Sequence, residues 1–304
     1  MTTIISNCSK RKRAPLDPSL RARDLRSGET VEVVAEWTGR LQAATPAKSA
    51  KLVYSGRAFA EAAWAARVVG AKLLIVSAGL GLVDEDMMVP VYGLTTVKRD
   101  PDCILDKTGG TSPKWWAALQ EMSPFQTKAL EHEAGPILAA LPSAYLAMVA
   151  EDWCAWPDER LARLRLFTKE EPSAAFEALR EAWMPYDDRL DAVSEGLEGT
   201  QGDFAQRALR HFATNVGVGG AIEADRQAVR AALDGLSARH VPVRTRLSDN
   251  EIMAIIDSDW DTVRGRSGAM MRRLRDDLSI ACEQSRFKTL FGTVAVRRGQ
   301  GALL

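Results

Sequence analysis

Apolar and polar residues alternate along this chain in two different rhythms, and the change between them suggests its organisation. Thr2–Ser6 is a short, β-branched and apolar stretch that ends in the polar cluster Asn7-Cys8-Ser9-Lys10, the signature of a buried strand leading into a loop. Glu29–Arg40 has helical periodicity. A second helix is expected over Ala58–Val69, opened by Val53-Tyr54-Ser55-Gly56-Arg57 and closed by Gly70. Ala71–Ser77 is a continuous apolar run and reads as a central strand, followed by the turn Ala78-Gly79-Leu80-Gly81. Pro90–Val97 reads as a turn into a short strand. Thr111-Ser112-Pro113 caps a helix carrying Trp115 and Trp116, of which helical geometry sends only one to the core. A helix over Lys128–Leu141 and a strand over Ala144–Ala150 complete the set.

Strand, helix, strand and glycine turn make a βαβ-like unit, so the expected fold is α/β, with a mostly parallel central sheet flanked by helices. Beyond residue 157 amphipathic helical patterns take over: Asp158–Phe167, Ser173–Trp183, Asp203–Ala213, Glu223–Leu236, Asp249–Ile256 and Ser267–Glu283. Ser248 and Glu251 form a capping-box pattern, and Gly217–Gly220 reads as a linker or tight turn. The expected division is therefore 1–157, an α/β domain, and 158–304, a helical domain or cap with a basic C-terminal helix.

Charge refines this picture through its distribution. The 304 residues hold 40 Lys/Arg and 40 Asp/Glu, yet residues 1–57 carry 11 basic against 5 acidic and residues 262–304 carry 9 against 3. Residues 170–205 carry 10 acids against 2 Arg. Two basic ends can meet a polyanion on one face, although solvated helix faces would give the same count. The four cysteines and three histidines (His132, His211, His240) lack metal-ligand spacing, so no metal or other cofactor is expected. No signal peptide or bilayer-spanning apolar run stands out, which points to a cytoplasmic protein with no membrane partner.

Ligands of open α/β sheets bind beyond the carboxyl ends of the strands, which makes the two strand-end loops the candidate site. Asn7 supplies a donor and an acceptor, Ser9 a hydroxyl, and Lys10 and Lys12 charges suited to phosphate. Ser77, Gly79 and Gly81 offer close backbone approach; Tyr54 and Tyr92 offer rings for a base, with Arg57 beside the first. Asp84, Asp100 and Asp152 are the candidate catalytic acids, joined by Asn7, and Asp152 is expected on the same rim because a strand precedes it. Cys8 has basic neighbours but no His base nearby in sequence, and a buried packing role suits it better. In the C-terminal region Arg272 and Arg275, three apart, share a helix side suited to a DNA backbone, with Met271, Leu274 and Leu278 turned to the core.

Ile4–Lys12 (I-I-S-N-C-S-K-R-K), Tyr54–Phe59 (Y-S-G-R-A-F), Leu74–Val83 (L-I-V-S-A-G-L-G-L-V) and Pro90–Tyr92 (P-V-Y), with a Trp at 115 or 116, together resemble a family of bacterial and phage domains. These open with a Cys-Ser-Lys loop and are similar to the YaaA group, to a domain of archaeosine synthase and to uracil-DNA-glycosylase-like folds. The resemblance covers roughly residues 1–155. It implies work on modified bases, and the neighbourhood includes an anti-phage DNA glycosylase that removes glucosylated hydroxymethylcytosine. The expected activity is therefore hydrolysis of the N-glycosidic bond of a bulky modified base flipped from duplex DNA. A non-enzymatic nucleic-acid-binding protein and a hydrolase of small nucleosides or nucleotides are the alternatives. Two positions depart from the family pattern. Gly79-Leu80 stands where relatives often carry an aromatic, Lys or His, and Gly93 where they often carry an acid after the Tyr. An acidic role at the latter would move to Asp84, Asp100 or Asp152.

Overall fold

The β-branched start of the chain becomes β1 (Thr3–Asn7), the middle strand of a five-stranded sheet whose order is β4-β3-β1-β6-β7. In the computed structural model, which describes residues 1–46, 48–238 and 243–299, β1 runs parallel to both β3 (Lys72–Ser77) and β6 (Ile137–Ala140). Ile4 and Ile5 point to opposite faces of the sheet and both are fully buried, because packed elements, α3 among them, cover both faces, which is why the strand reads as continuous apolar sequence. β7 (Leu164–Phe167) extends the sheet parallel to β6, while β4 (Gly81–Asp84) folds back antiparallel on β3. The sheet is thus mostly parallel, with one antiparallel edge.

Between β1 and β3 lie α1 (Thr30–Ala43), the short β2 (Lys48–Ser49), α2 (Ala50–Val53) and α3 (Arg57–Val68). β2 pairs with β5 (Met88–Val89), outside the main sheet. After β5 come α4 (Leu105–Thr108), α5 (Ser112–Met122) and α6 (Ala129–His132), then β6, α7 (Ser143–Cys154), α8 (Asp158–Leu161) and β7. α9 (Glu177–Ala182), α10 (Phe204–His211) and α11 (Ile222–Leu233) follow. The chain moves from β1 to β3 on one side and from β6 to β7 on the other. Right-handed crossovers then place α3 and α7 on opposite faces. β1 and β6 are therefore the adjacent strands from which the chain departs in opposite directions, and their carboxyl ends border the crevice expected of this topology.

Several local expectations change. The stretch 128–150 holds its strand first and its helix second: β6 covers Ile137–Ala140 and α7 takes in Ala144–Ala150. Apolar runs this short fit a strand or a buried helix equally, and Leu146, Met148, Val149 and Ala150 are all buried in the helix. Residues 158–167 split into the single turn α8 and strand β7, so the sheet continues past 157. The chain divides instead into two compact units, Met1–Arg239 and His240–Leu304. Trp115 and Trp116 are both buried, because α5 packs against α1 and also against α7. Pro90–Val97 forms no strand and joins its neighbours through isolated bridges. Gly217–Gly220 is a turn within the first unit: Asp225, ion-paired to Arg165, accepts from Gly219 N, and Arg165 donates to Gly220 O.

The second unit contains β8 (Thr245–Arg246), α12 (Asp249–Ser258), α13 (Ser267–Arg272), β9 (Ile280–Ala281) and α14 (Gln284–Arg297). Ser248 and Glu251 make the anticipated capping box of α12. Its core holds Ile252, Ile256, Trp260, Met270, Leu274, Phe287 and Phe291. A π turn over Arg273–Asp277 breaks the helical phase after α13. Met270 and Leu274 are consequently buried, while Leu278, expected in the core, is 39% exposed. His240 lies outside the described residues. Among the described residues no helix is long and apolar enough to cross a membrane.

Candidate functional site

The loops after β1 and β3 meet in one buried polar cluster. Residues 11–13 pair with 53–55: Arg13 N donates to Val53 O, and Ser55 N donates to both Arg11 O and the Ser9 hydroxyl. This draws Lys12 inward until its ammonium lies 4.6 Å from the Tyr54 ring centroid and 4.7 Å from that of Tyr92, donating to Ser9 O. Burial pulls the Lys12 pKa down, against the opposing influence of Cys8. Beneath it, Ser77 Oγ and Tyr92 OH are 2.6 Å apart, and Tyr54 OH reaches both at 3.3 and 3.2 Å. Burial pushes both phenols well above their ordinary value, so these hydroxyls stay protonated. Tyr54 and Tyr92 were expected to stack on a base. With Lys12 over their faces and both rings buried, they form the floor of the cluster instead.

The Gly79 turn is held as tightly. Trp37 Nε1 donates to Gly79 O and Trp115 Nε1 to Ala78 O, each at 2.7 Å, while Leu80 N donates to Ser77 Oγ. Gly79 is required for a reason beyond backbone freedom: a Cβ there would sit 2.4 Å from Tyr92 Cε2. Gly81, at φ 87°, opens β4 and supplies the positive φ that a side chain would resist. It faces Gln120 and Gln126 rather than Lys12.

On the other side of β1, the crevice between the ends of β1 and β6 is occupied by Gln206 from α10. Its amide nitrogen donates to Asn7 Oδ1 at 2.8 Å, Ala140 O at 3.0 Å and Ser6 Oγ at 3.2 Å, while its oxygen is buried without a partner. Tyr145 of α7 brings its hydroxyl within 3.1 Å of Cys8 Sγ. Burial raises the Tyr145 pKa as well. Sequence reasoning missed Tyr145 and Gln206. The first lay in a segment assigned as a strand, and the second lies 200, 199 and 66 residues from Ser6, Asn7 and Ala140, with no local pattern to flag it.

The three candidate acids separate. Asp100 comes to the rim, where Lys10 binds its carboxylate and holds its pKa below the ordinary carboxylate value. Asp102 N donates to Asp100 Oδ1, and the Asp102 carboxylate is fixed by Arg23 at 2.8 and 2.7 Å. Its Oδ2 would lie 3.3 Å from a Cβ at position 93, so Asp102 fills the space that a side chain in place of Gly93 would take. Asp84 is excluded from this rim. β4 is antiparallel, which carries Asp84 opposite Leu74 and into an ion pair with Lys72, toward the amino end of β3. Asp152 is also displaced. It lies near the end of α7, nine residues and about 14 Å along the helix from Ser143, where it accepts from Trp116 Nε1 at 3.1 Å. Arg57 turns away toward Asp203, Glu61 and Gly196 O.

A cleft of about 450 Å³ adjoins the ends of β6 and β7, bordered by Pro142, Ser143, Lys169, Glu170, Gln201 and Phe204. In the second unit, Arg275 lines another cleft and donates to Cys282 O, whereas Arg272 is exposed on α13 and does not line it. Compared with protein-family models, curated proteins and solved structures, the chain matches none.

Proposed function

We propose that this protein is a DNA glycosylase that hydrolyses the N-glycosidic bond of a bulky modified base. The observation that carries the reading is Asp100: of the three acids picked from the sequence, it alone reaches the rim beside the loop after β1, and Lys10 keeps it ionised. Breaking the C1′–N bond leaves its electron pair on the base and positive charge on the sugar. An ionised carboxylate stabilises that charge, a water oxygen then bonds to C1′, and its proton passes to solvent while the departing base takes up another. A lowered pKa suits this electrostatic role and opposes a role as general acid. Asp102, in the position that a residue 93 side chain would fill, is fixed by Arg23, and its backbone N–H donates to Asp100 Oδ1, which holds the Asp100 carboxylate in place.

Incubation with hypermodified and unmodified duplexes, followed by alkaline cleavage and mass spectrometry of the released base, tests the reading. Release is expected from hypermodified DNA, and Asp100→Asn should lower it by about 10²–10³-fold with the fold intact. Absence of abasic sites on every hypermodified substrate would overturn it. The second reading, a nucleic-acid-binding module without catalysis, draws on two observations: Tyr54, Tyr92 and Ser77 satisfy one another, and Gln206 fills the β1/β6 crevice. Binding of DNA with no release of base would favour it.

A further inference from the structure

In the second unit four guanidinium groups, from Arg244, Arg246, Arg275 and Arg286, line a single cleft of about 700 Å³ together with Cys282 and Glu283. Placing like charges this close is unfavourable unless something anionic offsets it. The acids of the unit do so only in part. Residues 243–299 hold 11 Lys/Arg and 8 Asp/Glu. Asp259 and Asp277 are paired with Arg273, and Asp257 and Asp261 with Arg298. Asp249 and Asp276 hold Arg286 and Arg244. Among the described residues neither Arg246 nor Arg275 makes an ion pair; the Glu283 carboxylate, engaged by Ser285 N and Arg286 N as the cap of α14, offsets part of the Arg275 charge from a longer distance.

Neutral backbone carbonyls orient three of the four side chains. Arg275 Nη2 donates to Cys282 O at 2.8 Å, Arg244 Nε to Arg275 O at 3.0 Å, and Arg286 Nη2 to Leu247 O at 2.8 Å. Carbonyls fix the guanidinium planes without cancelling their charge, so little further ordering is needed to receive an anion. The cleft is larger than a single phosphate requires.

We infer that this cleft is a binding site for the phosphodiester backbone of nucleic acid, gripping consecutive phosphates through Arg244, Arg246, Arg275 and Arg286. This rests on the proposed function in one respect, that the polymer held is also the substrate. The cleft binds backbone independently of base identity, because phosphate contacts position and do not specify.

The test uses the full chain and a fluorescent 20-base-pair duplex titrated over a range of salt, with inorganic phosphate and phosphatidylserine vesicles as parallel probes. Arg246→Gln/Arg275→Gln should weaken duplex binding at least tenfold at low salt. It should also flatten the slope of log affinity against log salt by up to about two, since each phosphate contact contributes about 0.9. Arg264→Gln/Arg266→Gln, outside the cleft, should leave the slope within about half a unit of wild type, on the same scale of about 0.9 per contact. Because Arg275 also bonds Cys282 O, thermal melting checks the double variant, and Arg246→Gln alone should give a slope change of about one. Unchanged affinity and slope, an equal effect of the control pair, binding of phosphate but not duplex, or preference for the vesicles would each overturn the inference. Base release assayed on the same DNA separates the two readings. Release without any effect of the cleft variants sinks this inference alone; cleft-dependent binding without release sinks the glycosylase alone.

Discussion

Gly79→Ala perturbs the candidate site at its tightest point. The added methyl would lie 2.4 Å from Tyr92 Cε2, 2.8 Å from Cδ2 and 3.0 Å from Cζ, distances that carbon atoms do not tolerate. The Tyr92 ring has nowhere cheap to go. Its hydroxyl is tied to Ser77 and Tyr54, its edge meets Trp37 at a centroid distance of 6.1 Å, and Lys12 sits over its face. The turn is equally fixed, since Trp37 Nε1 holds the carbonyl of Gly79 itself. Overpacking a core costs about 1–3 kcal/mol, and parting a buried hydrogen bond adds about 1–3 kcal/mol. A loss of roughly 2–6 kcal/mol in unfolding free energy is therefore expected, read as a lower urea midpoint with an unchanged m-value. Tyr92→Ala removes the ring, so the double variant Gly79→Ala/Tyr92→Ala should be less destabilised than the sum of the singles. A Gly79→Ala protein within about 0.5 kcal/mol of wild type, the range of ordinary surface changes, would refute the packing argument.

Two other perturbations read different parts of the first unit. Lys10→Ala frees Asp100 from the ammonium that lowers its pKa, so the acid limb of base release should move to higher pH, as a pH–rate profile would reveal. The sign follows from a depressed native pKa: the ionised form is favoured above the ordinary aspartate value of 3.8 and that advantage is lost as pH falls through the native value below it. A limb that stays in place would detach Asp100 from the reaction. Asp225→Asn leaves the buried Arg165, now paired at 2.6 Å, without a counter-charge. It should cost about 3–5 kcal/mol in urea unfolding, and a cost under 1 kcal/mol would show that the four hydrogen bonds of Arg165 to Asp225, Ala162 O, Leu164 O and Gly220 O are not what holds this turn.

What could be read in the sequence depended on how local its physical cause was. β1, α3, β3 and the Gly79 turn are each determined within a few residues, by a β-branched run, an amphipathic stripe and a glycine, and they stand close to where the pattern put them. The capping box at Ser248 is local too. The reversal of strand and helix over 128–150 was not legible, because a helix packed against α5 and α9 with Leu146, Met148, Val149 and Ala150 buried is as apolar as a strand. The sorting of Asp84, Asp100 and Asp152 depended on strand direction: an antiparallel β4 sends Asp84 to the far rim, and no local signal distinguishes that from a parallel return. Gln206 illustrates the remainder. A glutamine on an amphipathic helix normally faces water, yet α10 lies across β6 and β7, and its register delivers this one amide to the open ends of β1 and β6. There its amide nitrogen donates to three acceptors, Asn7 Oδ1, Ser6 Oγ and Ala140 O. The residue is specified mainly by Ser6 and Asn7, 200 and 199 positions away, so only the assembled sheet reveals that the crevice its topology creates is closed by the chain itself on that side, leaving at the rim the exposed Lys10 with the Asp100 carboxylate, 8% exposed, held beneath it.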